Sequence, residues 1–259
     1  MSNNVRIEKQ RLKFIGQILE SKNYGKFKII EYNHYEDVTI EFIDTGYISH
    51  NLVLSNILRG EVKDLLVKNI VGVGYLGGTK YDTRYKIGSF KPYETWKAML
   101  ARCYDEDIKA KRPAYREATC CNEWHNFQKF TEWCIKNLPD DTTVDYQLDK
   151  DILFKGNKIY SPEFCCMVPA RVNKLLEKSD ATRGNLPLGV RKIRNKFSAY
   201  ITENRRQYHL GMYNTAEEAF GAYRKEKLRI IAEVVEEYDT RLLPHVKIAL
   251  LSYEVSIND

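Results

Sequence analysis

No apolar run in this chain of 259 residues approaches the ~18–20 residues needed to span a bilayer. The opening stretch, MSNNVRIEKQRLKF, lacks the apolar core of a secretory leader. The expectation is therefore a cytoplasmic protein with no membrane partner. Acidic residues are outnumbered, 35 against 41 Lys and Arg, for a net charge of +6 and a pI near 8.8. That mild excess points toward a polyanionic partner. No C-x-x-C pair occurs among Cys103, Cys120, Cys121, Cys134, Cys165 and Cys166, and two sets are directly adjacent, a poor geometry for shared tetrahedral zinc ligation. Cys121 and His125 with distant thiols form one conceivable zinc set. Buried free thiols in a reducing compartment are the favoured reading.

What is present suffices for real cores: 43% hydrophobic and 29% charged residues are ordinary for a globular protein. The fold class expected is α+β, in three segments and a tail. Residues 1–78 form the first segment, in which the chain from about residue 10 reads as short strands, Lys26–Ile30 and Val38–Phe42, with a turn at Asp44-Thr45-Gly46. A short helical stretch from Asn51 to Leu58 and an exit strand and linker over Val71–Gly78 follow. This suggests a small curled sheet or SH3-like barrel, serving as a docking or accessory module and a possible surface for a host protein.

Residues 85–178 change character. Trp96, Met99, Leu100 and Cys103 share one helical face over Pro92–Tyr104, and Trp124, Phe127, Phe130, Trp133 and Cys134 recur at similar spacing. Core packing accounts for both stripes. Residues 182–240 begin with Gly184 and Pro187 as breakers. Strands over Gly189–Lys192, Lys196–Thr202 and Tyr208–Tyr213 come next, with a turn at Glu203–Arg206. Thr215 and Glu218 then form a capping box that opens a helix through Phe220, Tyr223, Ile230, Ile231, Val234 and Val235. Residues 241–259 are a tail without assigned structure.

In the second of these strands Phe197, Ala199 and Ile201 should face the helix, leaving Lys196, Ser198, Tyr200 and Thr202 outward. Between Arg183 and His209, seven basic residues (Arg183, Arg191, Lys192, Arg194, Lys196, Arg205, Arg206) meet one acid, Glu203. A β-ribbon with a basic outer face fits a DNA major groove. The pattern Gly189-Val190-Arg191, Phe197-x-Ala199-x-Ile201, Leu210-Gly211-x-Tyr213-x-Thr215-x-Glu217-Glu218-Ala219 and Ala222-Tyr223 resembles the AP2 DNA-binding domain. That resemblance implies base contacts from Arg191, Arg194, Tyr200 and His209, with Lys196 and Arg205 on phosphates. The loop after Arg191 differs in length from the plant pattern.

The central stretch Leu148-Asp149-Lys150-Asp151-Ile152, Gly156-Asn157-Lys158-Ile159-Tyr160-Ser161-Pro162-Glu163-Phe164-Cys165, Val168-Pro169 and Asn173 resembles the HNH nuclease motif in its bacteriophage variants. In that family a β-hairpin and helix hold one divalent metal, here Mg²⁺ or Mn²⁺, that stabilises the scissile phosphate. The resemblance implies metal ligation by Asp149, Asp151 and Asn173, and catalytic roles for Lys150, Asp149, Asn157 and Asn173. It places Asp149 and Asp151 on the first strand, Asn157 in the loop and Asn173 on the helix. One departure stands out. Lys150 occupies the position of the general-base histidine, and a lysine at its ordinary pKa of ~10.4 cannot accept a proton from water. His125 is an upstream imidazole with no geometric reason to replace it.

Three readings follow. The first is a phage or mobile-element, homing-like endonuclease, a metal-dependent hydrolase that selects double-stranded DNA with the C-terminal module. The second is a DNA-binding regulator on an inactive HNH scaffold. The third is an anti-defence inhibitor acting on a host protein. Lys150 favours the latter two; Asp149, Asp151, Asn157 and Asn173 favour the first.

Overall fold

Alternation of apolar residues builds the first sheet. In the computed structural model, which describes residues 3–176, 186–203 and 206–257, β1 (Ile18–Ser21), β2 (Gly25–His34), β3 (Asp37–Phe42) and β4 (Ile48–Leu52) pair antiparallel in that order. Phe27 and Ile29 of β2 and Val38, Ile40 and Phe42 of β3 are all but fully buried. Their cover is Phe14, from an N-terminal helix α1 (Asn3–Phe14), and Leu54 and Ile57, from α2 (Leu54–Leu58). Two corrections to the sequence reading follow. The sheet is open, with β1 and β4 as edges, and no barrel closes. The chain from residue 10 to 14 is helix.

The expected exit strand over 71–78 forms only isolated bridges, Ile70 with Gly74 and Tyr75 with Asn126. A buried glutamine supplies the alternative partner for this backbone. Gln128 Nε2 donates to the carbonyls of Leu76, Gly78 and Tyr81, and its Oε1 accepts from the Tyr81 N–H. Gly74 is required by close approach, since a Cβ there would lie 2.5 Å from Leu100 Cδ1. The segment belongs to the central core rather than to a linker.

That core is assembled on α3 (Pro92–Tyr104), which opens with proline at its first position, where no N–H is needed. Trp96, Met99, Leu100 and Cys103 are fully buried, as expected. Asp105 caps a short α4 (Glu106–Lys111). The second aromatic stripe is split: Trp124 sits in a 3₁₀ turn, Asn122–His125, and Asn126 caps α5 (Phe127–Asn137). Trp96 Nε1 donates to the Trp124 carbonyl at 2.6 Å, tying α3 to the 3₁₀ turn. β5 (Thr119–Cys120) pairs parallel with β7 (Ile159–Tyr160). β6 (Tyr146–Asp149) pairs antiparallel with β8 (Cys166–Pro169), which runs directly into α6 (Ala170–Leu176).

The C-terminal sheet has the order β11 (Arg206–Tyr213), β10 (Lys196–Glu203), β9 (Val190–Ile193), all antiparallel. Thr215 and Glu218 form the capping box of α7 (Ala216–Glu237), whose Phe220, Tyr223, Ile230, Ile231, Val234 and Val235 are buried against it. Gly189, at φ +70°, lets α7 approach: a Cβ there would meet Tyr223 Cδ2 at 2.1 Å and the Tyr200 carbonyl at 2.7 Å. The stretch 241–259 carries α8 (Pro244–Leu251), whose Val246 and Leu250 join this core. Ile152, Cys166, Val168 and Val172 from the central hairpin and α6 join it as well. One apolar cluster therefore spans the 178/182 boundary expected from sequence. Among the described residues no helix is long and apolar enough to cross a membrane.

Candidate functional site

The outer face of the C-terminal sheet follows from register. Directly opposed residues in an antiparallel pair share a face. Ser198 opposes Arg191 on β9 and Met212 on β11, Lys196 opposes Ile193, and Tyr200 opposes His209. Phe197, Ala199 and Ile201 turn the other way, onto α7, as expected. Ser198 lies on the outer face but is only 4% exposed, flanked by Arg191 and Met212. A bulge at Leu210, where the register shifts between Ala199 and Tyr200, keeps His209 on the outer face with Tyr200.

The basic residues are not all on one side. Lys192 opposes Phe197 and Arg206 opposes Glu203, which puts both on the helix-facing side. Arg191, Lys196 and His209 remain outward, and Arg194 sits at φ +54° in the β9–β10 turn. Arg205 lies outside the described residues. Among the described residues neither Arg191, Arg194 nor Lys196 joins an ion pair. The single acid of this sheet is drawn away: Glu203 lies 3.8 Å from Arg171 of α6. The Arg191 guanidinium stacks on the Tyr200 ring, 3.9 Å from its centroid. Stacking of this kind fixes the arginine's plane while leaving its N–H edge free to donate.

The central hairpin uses its polar groups internally. Asp149 ends β6, and its Oδ1 accepts the N–H groups of both Asp151 and Ile152 at 2.7 Å. That turn carries Asp151 beyond the strand, correcting its expected placement. Lys150 is 7% exposed, and its Nζ donates to Asp151 Oδ2 at 2.6 Å and to the Asn157 carbonyl at 2.7 Å. Asn157 lies in the loop as expected, where its Nδ2 donates to the carbonyls of Lys150 and Ile159, both at 2.8 Å. Asn173 stands on α6 and donates to Gln147 Oε1 at 2.8 Å. Burial raises the Asp149 carboxyl above its usual range, against the pull of its backbone donors.

These groups do not fit a divalent metal as they stand. A cation needs free carboxylate oxygens converging on one point; here an ammonium already occupies the centre of the loop, and Asp149 faces backbone donors. Among the described residues no group of three or more His, Cys, Asp or Glu side chains is arranged to hold a metal ion. His125 is held 2.9 Å from the Tyr104 hydroxyl, and burial lowers its pKa. All six cysteines are free thiols. Burial pushes Cys103 up to about 12, whereas the half-buried Cys121 is drawn down to about 7, chiefly by a hydrogen bond with Cys120.

Sequence reasoning missed three residues. Gln147, the partner of Asn173, carries no motif signal. Ile193 and Met212 are outward apolar side chains whose face only the register reveals. Comparison of the chain with protein-family models, with curated proteins and with solved structures finds no match.

Proposed function

We propose that this protein binds double-stranded DNA in a sequence-selective way, with the outer face of β9–β11 in the major groove and the central hairpin as a scaffold. The observation that carries this reading is Arg191, stacked on Tyr200 on the outer face of a sheet whose one acid, Glu203, lies on the other side near Arg171 of α6. Dimensions agree. Three strands about 4.8 Å apart make a ribbon about 10 Å across, and the groove is about 12 Å wide. A guanidinium held flat is preorganised to pair with guanine O6 and N7, while Lys196 and Arg194 at the β9–β10 end suit phosphates.

The test is fluorescence anisotropy with labelled duplexes across a salt series, beside a plasmid gel in Mg²⁺, Mn²⁺ and EDTA. Binding should weaken steeply with salt, and Lys196→Ala should flatten the log–log slope by about one unit. Arg191→Ala should cost about 1–3 kcal/mol on a preferred site and much less on random duplex. A retarded, uncut plasmid in every lane is expected. The competing reading, a metal-dependent endonuclease, is supported by the strand–strand–helix order of β6, β8 and α6 and by Asp151, whose side chain is 49% exposed. Metal-dependent nicking that vanishes in Asp151→Ala would establish it and displace the scaffold role.

A further inference from the structure

Two large apolar side chains interrupt the polar outer face. Ile193 on β9 is 47% exposed and Met212 on β11 is 42% exposed. Register puts both on the face of Arg191, Lys196, Tyr200 and His209, and away from the α7 core. They occupy the two edge strands and flank the central strand, so neither completes a core begun elsewhere. Such residues lower the solubility of an isolated sheet face, and a purely phosphate-binding surface has no use for them.

Charge identifies the occupant. A face carrying Arg191, Lys196 and His209, with no acid on it among the described residues, favours a polyanion over another apolar protein surface. Within a major groove the one apolar group on the base edges is the thymine C5 methyl. Ile193 is two residues along β9 from Arg191, about 7 Å, which matches about two base-pair steps at 3.4 Å each. Met212 lies across the ribbon from Arg191, in the row that passes over Ser198.

We infer that Ile193 and Met212 are specificity-determining residues that contact thymine methyl groups, so that the preferred site joins a guanine, met by Arg191, to a thymine about two steps away, met by Ile193, and to a second thymine across the groove, met by Met212. This rests on the DNA-binding reading above and adds a sequence preference to it.

The experiment is selection of sites from a random duplex pool by the full chain, followed by replacement of each selected thymine with deoxyuridine, which removes only the methyl. One or two such replacements should weaken binding about fourfold each, the worth of one buried methyl at about 0.8 kcal/mol. Ile193→Thr and Met212→Gln, shown to be folded by their thermal melts, should each abolish discrimination at one thymine while retaining salt-dependent binding to random duplex. Equal affinity for thymine and uracil sites, or discrimination that survives both substitutions, overturns this inference and leaves DNA binding standing. Failure to bind any duplex at low salt overturns both.

Discussion

Lys150 shows how a single buried charge can organise a loop. Its ammonium lies inside the 149–159 loop, holding Asp151 Oδ2 and the Asn157 carbonyl, while Asn157 returns two hydrogen bonds to the same backbone. Replacing it by methionine keeps the stem's volume and deletes three donors. Asp151 is half exposed and can turn to water, but the half-buried Asn157 carbonyl loses its ammonium partner. Lys150→Met should therefore destabilise the protein by about 1–3 kcal/mol. A thermal melt reads this as a fall of several degrees, whereas EDTA should leave the wild-type melt in place. An unchanged melt in Lys150→Met would remove the ammonium from the loop's framework. The position of Lys150 was legible in the sequence; its partners were not. One is a backbone carbonyl seven residues away, which no side-chain pattern marks. Asp151 was misplaced because Asp149, a residue that captures nearby N–H groups, ends the strand two residues early.

At the scale of elements, legibility tracked how local the controlling interactions are. The β10 alternation and the Thr215–Glu218 capping box lie within a few residues of what they control, and both sheet and helix form where they were expected. α1 and α8 escaped because neither announces itself locally. α1 is strongly polar and tied down chiefly through Phe14 on Tyr32. α8 is apolar without a periodic face, and its burial depends on α7. The same distinction explains Val71–Gly78, whose strand-like pattern yields to the long-range demands of Gln128. A mutation tests the most constrained joint. Gly189→Ala must hold an L-residue at φ +70° and place a methyl against both the Tyr223 ring and the Tyr200 carbonyl. The strain alone costs about 1–3 kcal/mol, and the contact adds to it. Circular dichroism should show an early melt of Gly189→Ala, and a wild-type melt would mean that the β9 start is less tightly fitted to α7 than the geometry requires.

At the scale of the whole molecule, the joint between the central core and the C-terminal sheet with its helices is apolar, and beside it the turn after α7 adds an ionic contact. Tyr146 donates from its hydroxyl to the carbonyls of Asp141 and Arg241, and Arg241 Nε meets Asp141 Oδ2 at 2.7 Å. Hydrogen bonds from Thr143, joined by Arg241, depress the Asp141 carboxyl to about 2. A depressed acid stabilises the fold above its unfolded pKa of ~3.9 and ceases to do so as pH falls through its folded value. The melting temperatures of wild type and Asp141→Asn should therefore differ at neutral pH and converge between about pH 4 and 2. A gap that persists in acid would assign the effect to packing rather than to charge. The cluster shared across 178/182 was not legible in the sequence. It joins Ile152, Cys166, Val168 and Val172 to α7 and α8, contacts between residues far apart in the chain.

That shared cluster has a mechanical corollary. The distance from the outer face of β9–β11 to the 150–159 loop is set by interlocked side chains and not by the reach of a tether. On bound duplex the molecule would behave as a fixed caliper. Whatever the loop touches would fall a constant number of base pairs from the sheet's footprint, in the same direction at every site, whatever the intervening sequence.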